Sequence, residues 1–363
     1  MKKICIVTGG TGGHIYPALA FASKVKQMHP DTEILFIGND DRMEADLIPA
    51  NGYPFFALHT SGLAGSAADR LKAVMQTLAC VGKAKAELKR FGADLVIGFG
   101  GYVSAPVMMA AQAMKIPTVI HEQNSIVGKS NKLVMNKADA IVTCYDKCDE
   151  VFPKEKIRKL GNPRATIAAE AVVDEAYFHS LGLKDGKKTI LVMMGSLGSS
   201  SVNELMKDAL ADLDPRLQIL YVCGKDNSQD LDLFKGQKNI HVVPYVDTLK
   251  IYGRIDGLIC RAGATTIAEL TALGIPAILI PSPYVANNHQ YYNARMLVDR
   301  QAAFMIEEKD LNARTLSQAI ASLFEQPETM ESVRRNALAL GKGNAAYDLV
   351  ELTDALMERR KRP

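Results

Sequence analysis

Short, continuously apolar segments alternate with helical patterns along most of the chain. Eleven of these segments predict β-strands, at 3–8, 33–38, 94–98, 118–122, 140–144, 189–194, 218–223, 240–243, 257–260, 277–281 and 303–306. Because the apolar residues follow one another instead of alternating with polar ones, both faces of each strand should be covered, as in a parallel sheet. The helical patterns between them complete βαβ units in two successive sets. The sequence therefore predicts an α/β fold with two doubly wound, Rossmann-like sheets.

The turn-forming segment Gly161-Asn162-Pro163 marks the expected break between the two sets. It divides the 363 residues into two parts, each of a size usual for one domain. Apolar residues recur at helical spacing over 345–360, which predicts a helix that closes the chain.

The formal net charge of +3 is small but unevenly distributed. Residues 1–163 carry 20 Lys and Arg against 15 Asp and Glu, or +5, whereas residues 164–363 carry 23 against 25, or −2. This imbalance is too mild for a nucleic-acid-binding surface, and the chain has no Trp for base stacking. We therefore expect no nucleic-acid partner.

The apolar segments are also too short for export or membrane insertion. The run at 4–7 is far shorter than the core of a signal peptide, and no window approaches the roughly 20 apolar residues of a membrane-spanning helix. The six cysteines are scattered, and Cys144 and Cys148 match zinc-ligand spacing poorly. The sequence predicts reduced, buried thiols in a cytosolic protein.

Glycine-rich loops follow three of the predicted strands, at 9–13, 98–104 and 195–201. Each loop precedes a helix, and we expect the first helix to begin at about Pro17. Glycine lets backbone N–H groups approach an anion, and the helix N-terminus adds partial positive charge. In doubly wound sheets such loops lie at the carboxyl ends of the strands, where ligands bind. The three loops predict a cleft for phosphate-bearing and polar ligands.

The first loop also allows a different interpretation. Asp40 stands at the end of the second predicted strand, where a dinucleotide-binding fold places a ribose-binding acid. However, the spacing is G-G-x-G-G instead of G-x-G-x-x-G, and the polar His14 follows it. A nicotinamide cofactor is therefore the less favoured alternative.

A longer motif lies at 260–270, CRAGATTIAEL, which reads as a strand end, a turn and a helix carrying Glu269. A carboxylate one helical turn beyond a strand end can accept hydrogen bonds from both hydroxyl groups of a ribose. Together with HQYYNA at 289–294, the segment is similar to the donor site of GT-B glycosyltransferases. The other blocks are GGTGGHIYPALA at 9–20, GFGGYVSAP at 98–106, HEQN at 121–124 and GNPRA at 161–165. All six resemble the MurG family, which belongs to glycosyltransferase family 28, over residues 4–300.

This resemblance implies a GT-B fold, with two Rossmann-like domains facing a central cleft. Residues 1–162 with the C-terminal helix 344–363 would bind the acceptor and the membrane, and residues 163–343 would bind UDP-N-acetylglucosamine. The activity would be inverting transfer of N-acetylglucosamine to the 4-hydroxyl of the muramyl sugar of lipid I. The product would be lipid II, for peptidoglycan synthesis. The resemblance implies no cofactor and no metal.

The resemblance also assigns substrate-binding residues. Glu269 would bind the ribose, Val246 the uracil through its backbone, and Gln290 the sugar hydroxyl groups. The diphosphate would contact Ser196, with Ala264, Thr265 and Thr266 beside it at a helix N-terminus. The sugar would be approached from the first domain by Thr11, Gly12, Gly13 and Asn124. Arg164 is a further expected contact, although it stands one residue earlier than the arginine of the family's common GNPVR pattern.

His14 is the expected catalytic base, because an unperturbed imidazole is half-deprotonated near pH 6.5. A base at this position would contribute roughly 10²–10⁴-fold to the rate. N–H groups and helix dipoles would stabilise the leaving diphosphate. The alternative is that His14 only fixes the glycine loop at the start of its helix. His121 and Glu122 of the HEQN block are given no catalytic role.

The polyprenyl acceptor implies an anionic membrane surface as a further partner, with the enzyme peripheral at the cytoplasmic face of the bacterial cell membrane. A candidate membrane face is the predicted helix over 71–90. Its apolar residues at helical spacing are Leu71, Val74, Met75, Leu78 and Val81, flanked by Lys72, Lys83, Lys85, Lys89 and Arg90. Such an amphipathic surface suits an anionic leaflet, where each basic residue contributes about 1 kcal/mol. The equal alternative is a helix that faces the core.

Three other functions remain open at this point. A glycolipid synthase would use another acceptor, such as diacylglycerol, and a UDP-N-acetylglucosamine 2-epimerase would use none. A non-catalytic lipid- or nucleotide-binding subunit of a membrane assembly would not need a complete set of donor and acceptor loops.

Overall fold

The computed structural model describes residues 2–60, 67–194, 200–210, 214, 216–224, 227, 231–232 and 234–361, with the backbone alone at 67–74, 200, 201, 204, 360 and 361. The chain divides into two compact units. Unit 1 comprises Met1–Thr166 together with Asn344–Pro363, and unit 2 comprises Ile167–Gly343.

Unit 1 contains a seven-stranded sheet in the order β3-β2-β1-β4-β5-β6-β7, in which every neighbouring pair is parallel. Its strands are β1 Lys3–Val7, β2 Glu33–Asn39, β3 Phe55–Leu58, β4 Leu95–Gly98, β5 Thr118–Glu122, β6 Ala140–Thr143 and β7 Ile157–Arg158.

Unit 2 contains a six-stranded parallel sheet in the order β10-β9-β8-β11-β12-β13. Its strands are β8 Lys188–Met193, β9 Leu217–Val222, β10 Ile240–Val243, β11 Gly257–Cys260, β12 Ala277–Leu279 and β13 Phe304–Met305. In both units the first strand lies inside the sheet, and the chain reverses direction across the sheet after the third strand. This is the Rossmann order.

Helices connect the strands in both units. Those of unit 1 are α1 Gly12–Met28, α2 Met43–Ala50, α3 Ala67–Phe91, α4 Ser104–Ala113, α5 Lys129–Val134 and the closing helix α13 Ala345–Lys361. α6 Arg164–Ala169 spans the division between the units. Those of unit 2 are α7 Glu175–Ser180, α8 Ser200–Ala209, α9 Ala264–Leu273, α10 His289–Val298, α11 Ala313–Phe324 and α12 Pro327–Leu340. None of the helices in the described part of the chain combines the length and apolarity needed to cross a membrane.

Both faces of the unit 1 sheet are buried. Ile6, Ile97 and Val119 share one buried cluster with α1 and α13 residues, and Val7 and Ile120 share another with residues of α3, α4 and α5. Successive residues of a strand are thus buried on opposite faces of the sheet, which explains why each strand is a continuous apolar run.

The C-terminal helix α13 is fastened to unit 1 by polar contacts as well as by packing. Asp354 forms an ion pair of 2.6 Å with Lys2 and a hydrogen bond of 2.6 Å with Nε2 of His29. The buried Lys24 of α1 donates to the hydroxyl of Tyr347 at 3.1 Å. These contacts bring the two ends of the chain into one unit.

All eleven predicted strands are confirmed, with bounds within two residues. The sequence missed β3 and β7, which lie at the two edges of the unit 1 sheet and are four and two residues long. β7 consists of Ile157 and Arg158 and so gives no apolar run, whereas β3 is the apolar run FFAL with one fully buried residue, Leu58, and was passed over. The closing helix predicted over 345–360 is also confirmed.

The predicted start of the first helix at Pro17 is wrong, because α1 begins at Gly12 and contains Pro17. Proline lacks an N–H group, so the bond it omits is the one to the carbonyl of Gly13, and Gly13 is exposed to water. The glycines before it can therefore join the helix at little cost.

The division between the units follows Thr166 instead of Asn162. The hydroxyl of Thr166 accepts a hydrogen bond of 2.9 Å from the backbone of Ala346, which attaches the start of α6 to α13. Residues 163–166 consequently belong to unit 1.

Candidate active site

The glycine-rich loops and the start of α9 follow the strands between which each sheet reverses its strand order. In unit 1 this point lies between β1 and β4, and the loops 9–13 and 98–104 follow these two strands. In unit 2 it lies between β8 and β11, followed by residues 195–199, which are outside the described residues, and by 261–263. Open α/β sheets bind their ligands at such points. The topology therefore supports a ligand-binding edge in each unit.

The half-buried imidazole of His14 stands in the first turn of α1. Its Nδ1 lies 3.0 Å from the carbonyl oxygen of Gly9 and 3.5 Å from the hydroxyl oxygen of Thr11. Because a carbonyl oxygen only accepts hydrogen bonds, Nδ1 carries a proton and donates it to Gly9. The lone pair of the neutral ring is then on Nε2, which is the nitrogen suited to act as a base.

Gly100 of the second loop lies directly against this ring. A Cβ at position 100 would come within 2.7 Å of Cδ2 and 2.8 Å of Nε2 of His14, and the backbone φ of Gly100 is +111°. Both the space and the conformation therefore require glycine. The glycine lets the loop approach the imidazole closely without covering Nε2 with a side chain.

Two N–H groups of the glycine loops are bonded inside the protein, which corrects the expectation that these N–H groups approach an anion. The N–H of Gly10 donates to Oε2 of Glu44 at 3.0 Å, and the N–H of Gly100 donates to Oγ of Ser104 at 3.2 Å. Ser104 also donates to the carbonyl of Gly100 at 2.6 Å, which closes the second loop on itself. The first turn of α1 has no acidic residue, and its N-cap Thr11 makes no capping side-chain bond. The start of α1 thus remains the electropositive part of this edge.

His121 is fully buried beneath the same loops. Its ring stacks on Phe99 with 4.9 Å between centroids, and Nε2 lies 3.0 Å from the carbonyl oxygen of Gly161. Burial lowers the pKa of His121 to about 4, against the raising effect of the Gly161 hydrogen bond and with a smaller lowering contribution from the nearby His14. His121 is consequently a neutral residue at physiological pH that holds the 161–163 turn.

Glu122 organises the loop that contains Asn124. Its carboxylate accepts hydrogen bonds from the backbone of Gly128 and the side chain of Asn131, both at 2.9 Å, and from the backbone of Asn124 at 3.2 Å. Burial raises the pKa of Glu122. The thiol of Cys148 donates to the carbonyl of Asn124 at 3.1 Å, so the loop is held from both sides.

Buried polar atoms without a hydrogen-bond partner are concentrated at this edge of unit 1. Eight such side-chain atoms occur among the described residues, and five of them lie in the last two residues of a strand of this sheet, directly after a strand, or in the 161–163 turn. They are Thr8 Oγ1, His121 Nδ1, Gln123 Oε1, Thr143 Oγ1 and Asn162 Nδ2. Buried polar groups normally have partners. Their concentration here marks this edge as the polar end of the unit.

Arg164 begins α6, and its guanidinium carbon lies 5.8 Å from the ring centre of Tyr16 on α1. Its backbone N–H donates to the side chain of Asn162 at 3.0 Å. The structure therefore places Arg164 beside the start of α1, in the same unit as Thr11, Gly12, Gly13 and Asn124.

In unit 2, Glu269 is 4% exposed in the second turn of α9. Its Oε2 accepts a hydrogen bond of 2.8 Å from the hydroxyl of Tyr252, which is 2% exposed. Burial and the charge of Glu269 raise the pKa of Tyr252 well above its usual range, so the phenol stays protonated as a donor. The sequence interpretation missed this tyrosine.

The start of α9 is suited to an anion. Ala264, Thr265 and Thr266 form its first turn, with no acidic residue there and no side chain capping the helix at Gly263. The hydroxyl of Thr265 is buried without a partner. The partial positive charge of this helix end and the two threonine hydroxyl groups match the chemistry of a phosphate group.

The other predicted donor contacts lie on neighbouring elements of unit 2. Val246 is buried at 6% exposure, and the N–H of the next residue, Asp247, donates to the hydroxyl of Tyr177 at 3.0 Å. Oε1 of Gln290 accepts the N–H of Ser282 at 2.9 Å, so the amide nitrogen of Gln290 is its donor group. Ser196 lies outside the described residues, so its predicted contact is not addressed.

Two groups of side chains among the described residues have spacings compatible with a metal ion, Asp40 with Asp41 and His59, and Glu175 with His179 and Asp185. Both groups are exposed and bonded within the protein. Nδ1 of His59 lies 2.9 Å from Asp40, and Arg254 pairs with both Glu175 and Asp185. Asp40, which the nicotinamide alternative needed for a ribose, is engaged with His59.

Two Rossmann sheets, each with glycine-rich or threonine-bearing helix starts at its strand-reversal point, define the GT-B class of nucleotide-sugar enzymes. The sequence matches the glycosyltransferase family 28 N-terminal domain over residues 4–143 and the family 28 C-terminal domain over residues 189–352. The chain therefore belongs to glycosyltransferase family 28.

Two relatives cover the whole chain. The UDP-N-acetylglucosamine–N-acetylmuramyl-(pentapeptide) pyrophosphoryl-undecaprenol N-acetylglucosamine transferase of Listeria welshimeri is 41% identical over 98% of this chain and 100% of its own length. The crystal structure of Acinetobacter baumannii MurG superposes with a TM-score of 0.80 at 29% identity, covering 98% of this chain and 100% of that one.

The fold alone is shared more widely. The UDP-GlcNAc 2-epimerase from Neisseria meningitidis superposes with a TM-score of 0.67 at 15% identity, covering 97% of this chain and 99% of that one. This likeness concerns the arrangement of strands and helices only. Full-length sequence identity therefore separates the transferase from the epimerase, which the sequence analysis kept as an alternative.

Proposed function

We propose that this chain transfers N-acetylglucosamine from UDP-N-acetylglucosamine to lipid I, the undecaprenyl-pyrophosphoryl-N-acetylmuramyl-pentapeptide, and so produces lipid II for peptidoglycan synthesis. The observation that carries the proposal is 41% identity along the whole chain to a relative named for this reaction. Through peptidoglycan, the activity serves cell shape and cell division.

The donor is assigned to unit 2. Glu269 is buried and held by Tyr252, which keeps a carboxylate in one orientation, as binding of two ribose hydroxyl groups requires. Thr265, Thr266 and Ala264 at the start of α9 receive the diphosphate, with Ser196 as a further contact. Val246 contacts the uracil through its backbone, and the amide nitrogen of Gln290, whose oxygen is held by Ser282, donates to a sugar hydroxyl.

The acceptor chemistry is assigned to unit 1. Nε2 of His14 removes the proton from the 4-hydroxyl of the muramyl sugar as this oxygen attacks the anomeric carbon of N-acetylglucosamine. The bond from this carbon to the diphosphate oxygen breaks in the same step, and UDP leaves. A single displacement of this kind inverts the α-linked donor to a β-linked product. Thr11, Gly12, Gly13 and Asn124 contact the sugar from this unit, and Arg164 adds a positive charge beside α1. The reaction needs no metal and no cofactor in this proposal.

The test is product formation from UDP-N-acetylglucosamine and a soluble lipid I analogue. We expect UDP release to match disaccharide formation in a one-to-one ratio. Release of UDP without disaccharide would contradict the transferase assignment. Formation of UDP-N-acetylmannosamine without acceptor would indicate an epimerase, and transfer to diacylglycerol would indicate a glycolipid synthase. Donor binding with none of these products would indicate a non-catalytic subunit.

The lipid acceptor requires that the enzyme reach a membrane, and we assign this contact to the surface of α3, α4 and α5. Its exposed apolar side chains are Met75 and Leu78 on α3, Met109 on α4 and Leu133 on α5. Met75 and Leu78 are 65% and 63% exposed, so this part of α3 does not face the core. Lys83, Lys85, Lys89 and Arg90 are exposed on the same helix. The predicted residues Leu71, Lys72 and Val74 lie outside the described side chains.

Flotation with liposomes tests the membrane contact. We expect binding to vesicles containing anionic phosphatidylglycerol, and little binding to neutral vesicles. The variant Met75→Asp with Leu78→Asp should lose this binding. The matched control is Val172→Asp with Leu338→Asp, which places the same charges on exposed apolar residues of unit 2. Equal flotation of both double variants would refute the assignment, as would equal binding to neutral vesicles. The peripheral location at the cytoplasmic face and the lack of a nucleic-acid partner belong to the same proposal.

A further inference from the structure

The buried carboxylate of Glu44 lies against the first glycine loop and has no part in the proposed reaction. Glu44 lies in the first turn of α2 and is 0% exposed. Its Oε2 accepts the N–H of Gly10 at 3.0 Å, and its Oε1 accepts the N–H of Asn39 at 3.1 Å. Both oxygens are thus fixed by backbone donors, which gives the carboxylate a single orientation.

The backbone makes room for this side chain at two positions. A Cβ at Gly9 would come within 2.3 Å of Oε1 of Glu44, and a Cβ at Gly38 within 2.7 Å of its Cγ. Both glycines therefore admit the carboxylate to a place that any side chain would block. The loops after β1 and β2 and the start of α2 converge on one buried charge.

Gly9 and Gly10 share the peptide group that joins this charge to His14. The N–H of the group belongs to Gly10 and donates to Glu44, whereas its carbonyl belongs to Gly9 and accepts from Nδ1 of His14 at 3.0 Å. The atoms of a peptide group are conjugated and planar. A negative charge beside the N–H therefore pushes electron density toward the carbonyl oxygen, and this oxygen becomes a stronger hydrogen-bond acceptor.

We propose that Glu44 is a positioning residue that acts on His14 through the Gly9–Gly10 peptide group. The relay fixes the imidazole with its proton on Nδ1, leaves Nε2 as the base and stabilises the imidazolium that forms when Nε2 takes a proton. The arrangement resembles the buried carboxylate behind the histidine of a hydrolase triad, with one peptide group inserted between the two. The inference rests on the proposed role of His14.

Two other ionisable groups of the described residues approach this region, His121 and Arg164, and neither supplies a negative charge. His121 approaches from β5 and interacts electrostatically with His14, but its lowered pKa of about 4 keeps it neutral at physiological pH. Arg164 approaches Tyr16 of α1 from the start of α6 and carries a positive charge, which opposes an imidazolium. Glu44, in contrast, brings a negative charge to the ring through the two hydrogen bonds of the Gly9–Gly10 peptide group.

The test compares Glu44→Gln, which keeps the shape and removes the charge, with the wild type. We expect kcat to fall about three- to tenfold, with the KM for UDP-N-acetylglucosamine changed less than twofold. The acid limb of the kcat profile should move to lower pH. In protein with ¹³C-labelled histidine, the titration midpoint of His14 should move in the same direction. Glu33→Gln is the matched control, because Glu33 pairs with Lys3 at the opposite end of β2.

A loss of kcat without movement of the acid limb or of the His14 midpoint would overturn the relay and leave Glu44 a purely structural role. The midpoint is measured without substrate, so its result is separate from that of the base assignment. If Glu44→Gln shifts the midpoint but His14→Ala retains normal turnover, the relay stands and the proposed base is wrong.

A measurement on the unaltered chain covers the case in which Glu44→Gln does not fold. In protein labelled with ¹⁵N-glycine, the Gly10 amide resonance should shift along the same pH curve as the His14 ring, since one peptide group joins them. A Gly10 amide that does not respond while His14 titrates would overturn the proposal.

Discussion

The two units share one strand order, yet they hold their candidate residues in different ways. In unit 1 the key side chain, His14, is held by backbone atoms, since Gly9 accepts its proton and Gly100 packs against its ring. In unit 2 the key side chain, Glu269, is held by another side chain, the hydroxyl of Tyr252. A base must keep one nitrogen accessible, which close glycine contacts allow. A binding carboxylate needs a fixed direction, which a buried donor provides.

The distribution of buried polar atoms shows the same difference. Among the described residues, five of the eight buried atoms that lack a hydrogen bond lie at the ligand-binding edge of unit 1. At the edge of unit 2 they are Thr265 Oγ1 and Glu308 Oε2, and the latter still forms an ion pair of 2.6 Å with Arg261. The comparison predicts that substitutions at the edge of unit 1 mainly change turnover, and that those of unit 2 mainly change donor affinity. Substitutions in the two units test this division between turnover and donor affinity.

The largest expected effect is that of His14→Ala. Removing the base should lower kcat about 10²–10⁴-fold while the affinity for UDP-N-acetylglucosamine changes little. Steady-state kinetics with a lipid I analogue and calorimetric binding of UDP measure the two quantities. His59→Ala is the matched control, because His59 is an exposed histidine of the same unit. Near-normal turnover of His14→Ala would show that His14 is not the base.

The second prediction concerns acid stability, which should fall first in unit 1. The pKa of His121 is lowered to about 4 in the folded protein, against about 6.5 unfolded. A lowered histidine pKa means that the unfolded chain binds the proton more tightly, so stability is full above pH 6.5 and is lost as the pH falls toward 4. The loss should reach about 3 kcal/mol at pH 4.

Urea unfolding from pH 7 to pH 4, read by pulsed hydrogen exchange, assigns this loss to peptides of each unit. In His121→Gln, which cannot titrate, the pH dependence of unit 1 should become shallower. The control is His241→Gln in unit 2, where partial burial and then the charges of Lys184 and Lys187 lower the pKa of His241. If His121→Gln and the wild type lose stability equally, His121 is not a neutral buried group.

The third prediction tests unit 2 through Glu269→Ala. Loss of hydrogen bonds from a carboxylate to ribose hydroxyl groups should raise the donor KM about 10- to 100-fold, with a smaller change in kcat. Calorimetry with UDP should show a matching loss of affinity. Glu331→Ala, at an exposed glutamate of α12, is the control within the same unit. An unchanged donor KM would remove Glu269 from the ribose site.

The fold was more predictable from the sequence than the residues that hold the candidate site residues in place. Strands buried on both faces produce apolar runs such as 118–122, and a helix that follows a glycine loop is a local pattern. Glu44 and Tyr252 were missed because their partners lie far along the chain, 34 residues away for Gly10 and 17 for Glu269. In the sequence, Glu44 reads as an acid in the first turn of a helix and Tyr252 as an apolar residue before a strand. The sequence signal for a buried side chain at this place was the pair of glycines at positions 9 and 38, near the ends of two successive strands, where a Cβ would collide with Glu44.

The smallest expected effect, and the closest test of how unit 2 holds its carboxylate, is that of Tyr252→Phe. The substitution keeps the packing of the ring and removes the hydroxyl that donates to Oε2 of Glu269 at 2.8 Å. Losing one buried hydrogen bond to a charged group should raise the donor KM about three- to tenfold, with kcat nearly unchanged. The preference for UDP-N-acetylglucosamine over its 2′-deoxyribose analogue should shrink, because a less fixed carboxylate forms weaker hydrogen bonds with each ribose hydroxyl.

Tyr221→Phe is the matched control, since Tyr221 is a fully buried tyrosine of unit 2 whose hydroxyl donates to Asn203 at 2.6 Å. It should lower stability and leave the preference intact. If both variants changed the preference equally, or if Tyr252→Phe lowered kcat instead of donor affinity, the proposed difference between the two units would fail at its most direct point.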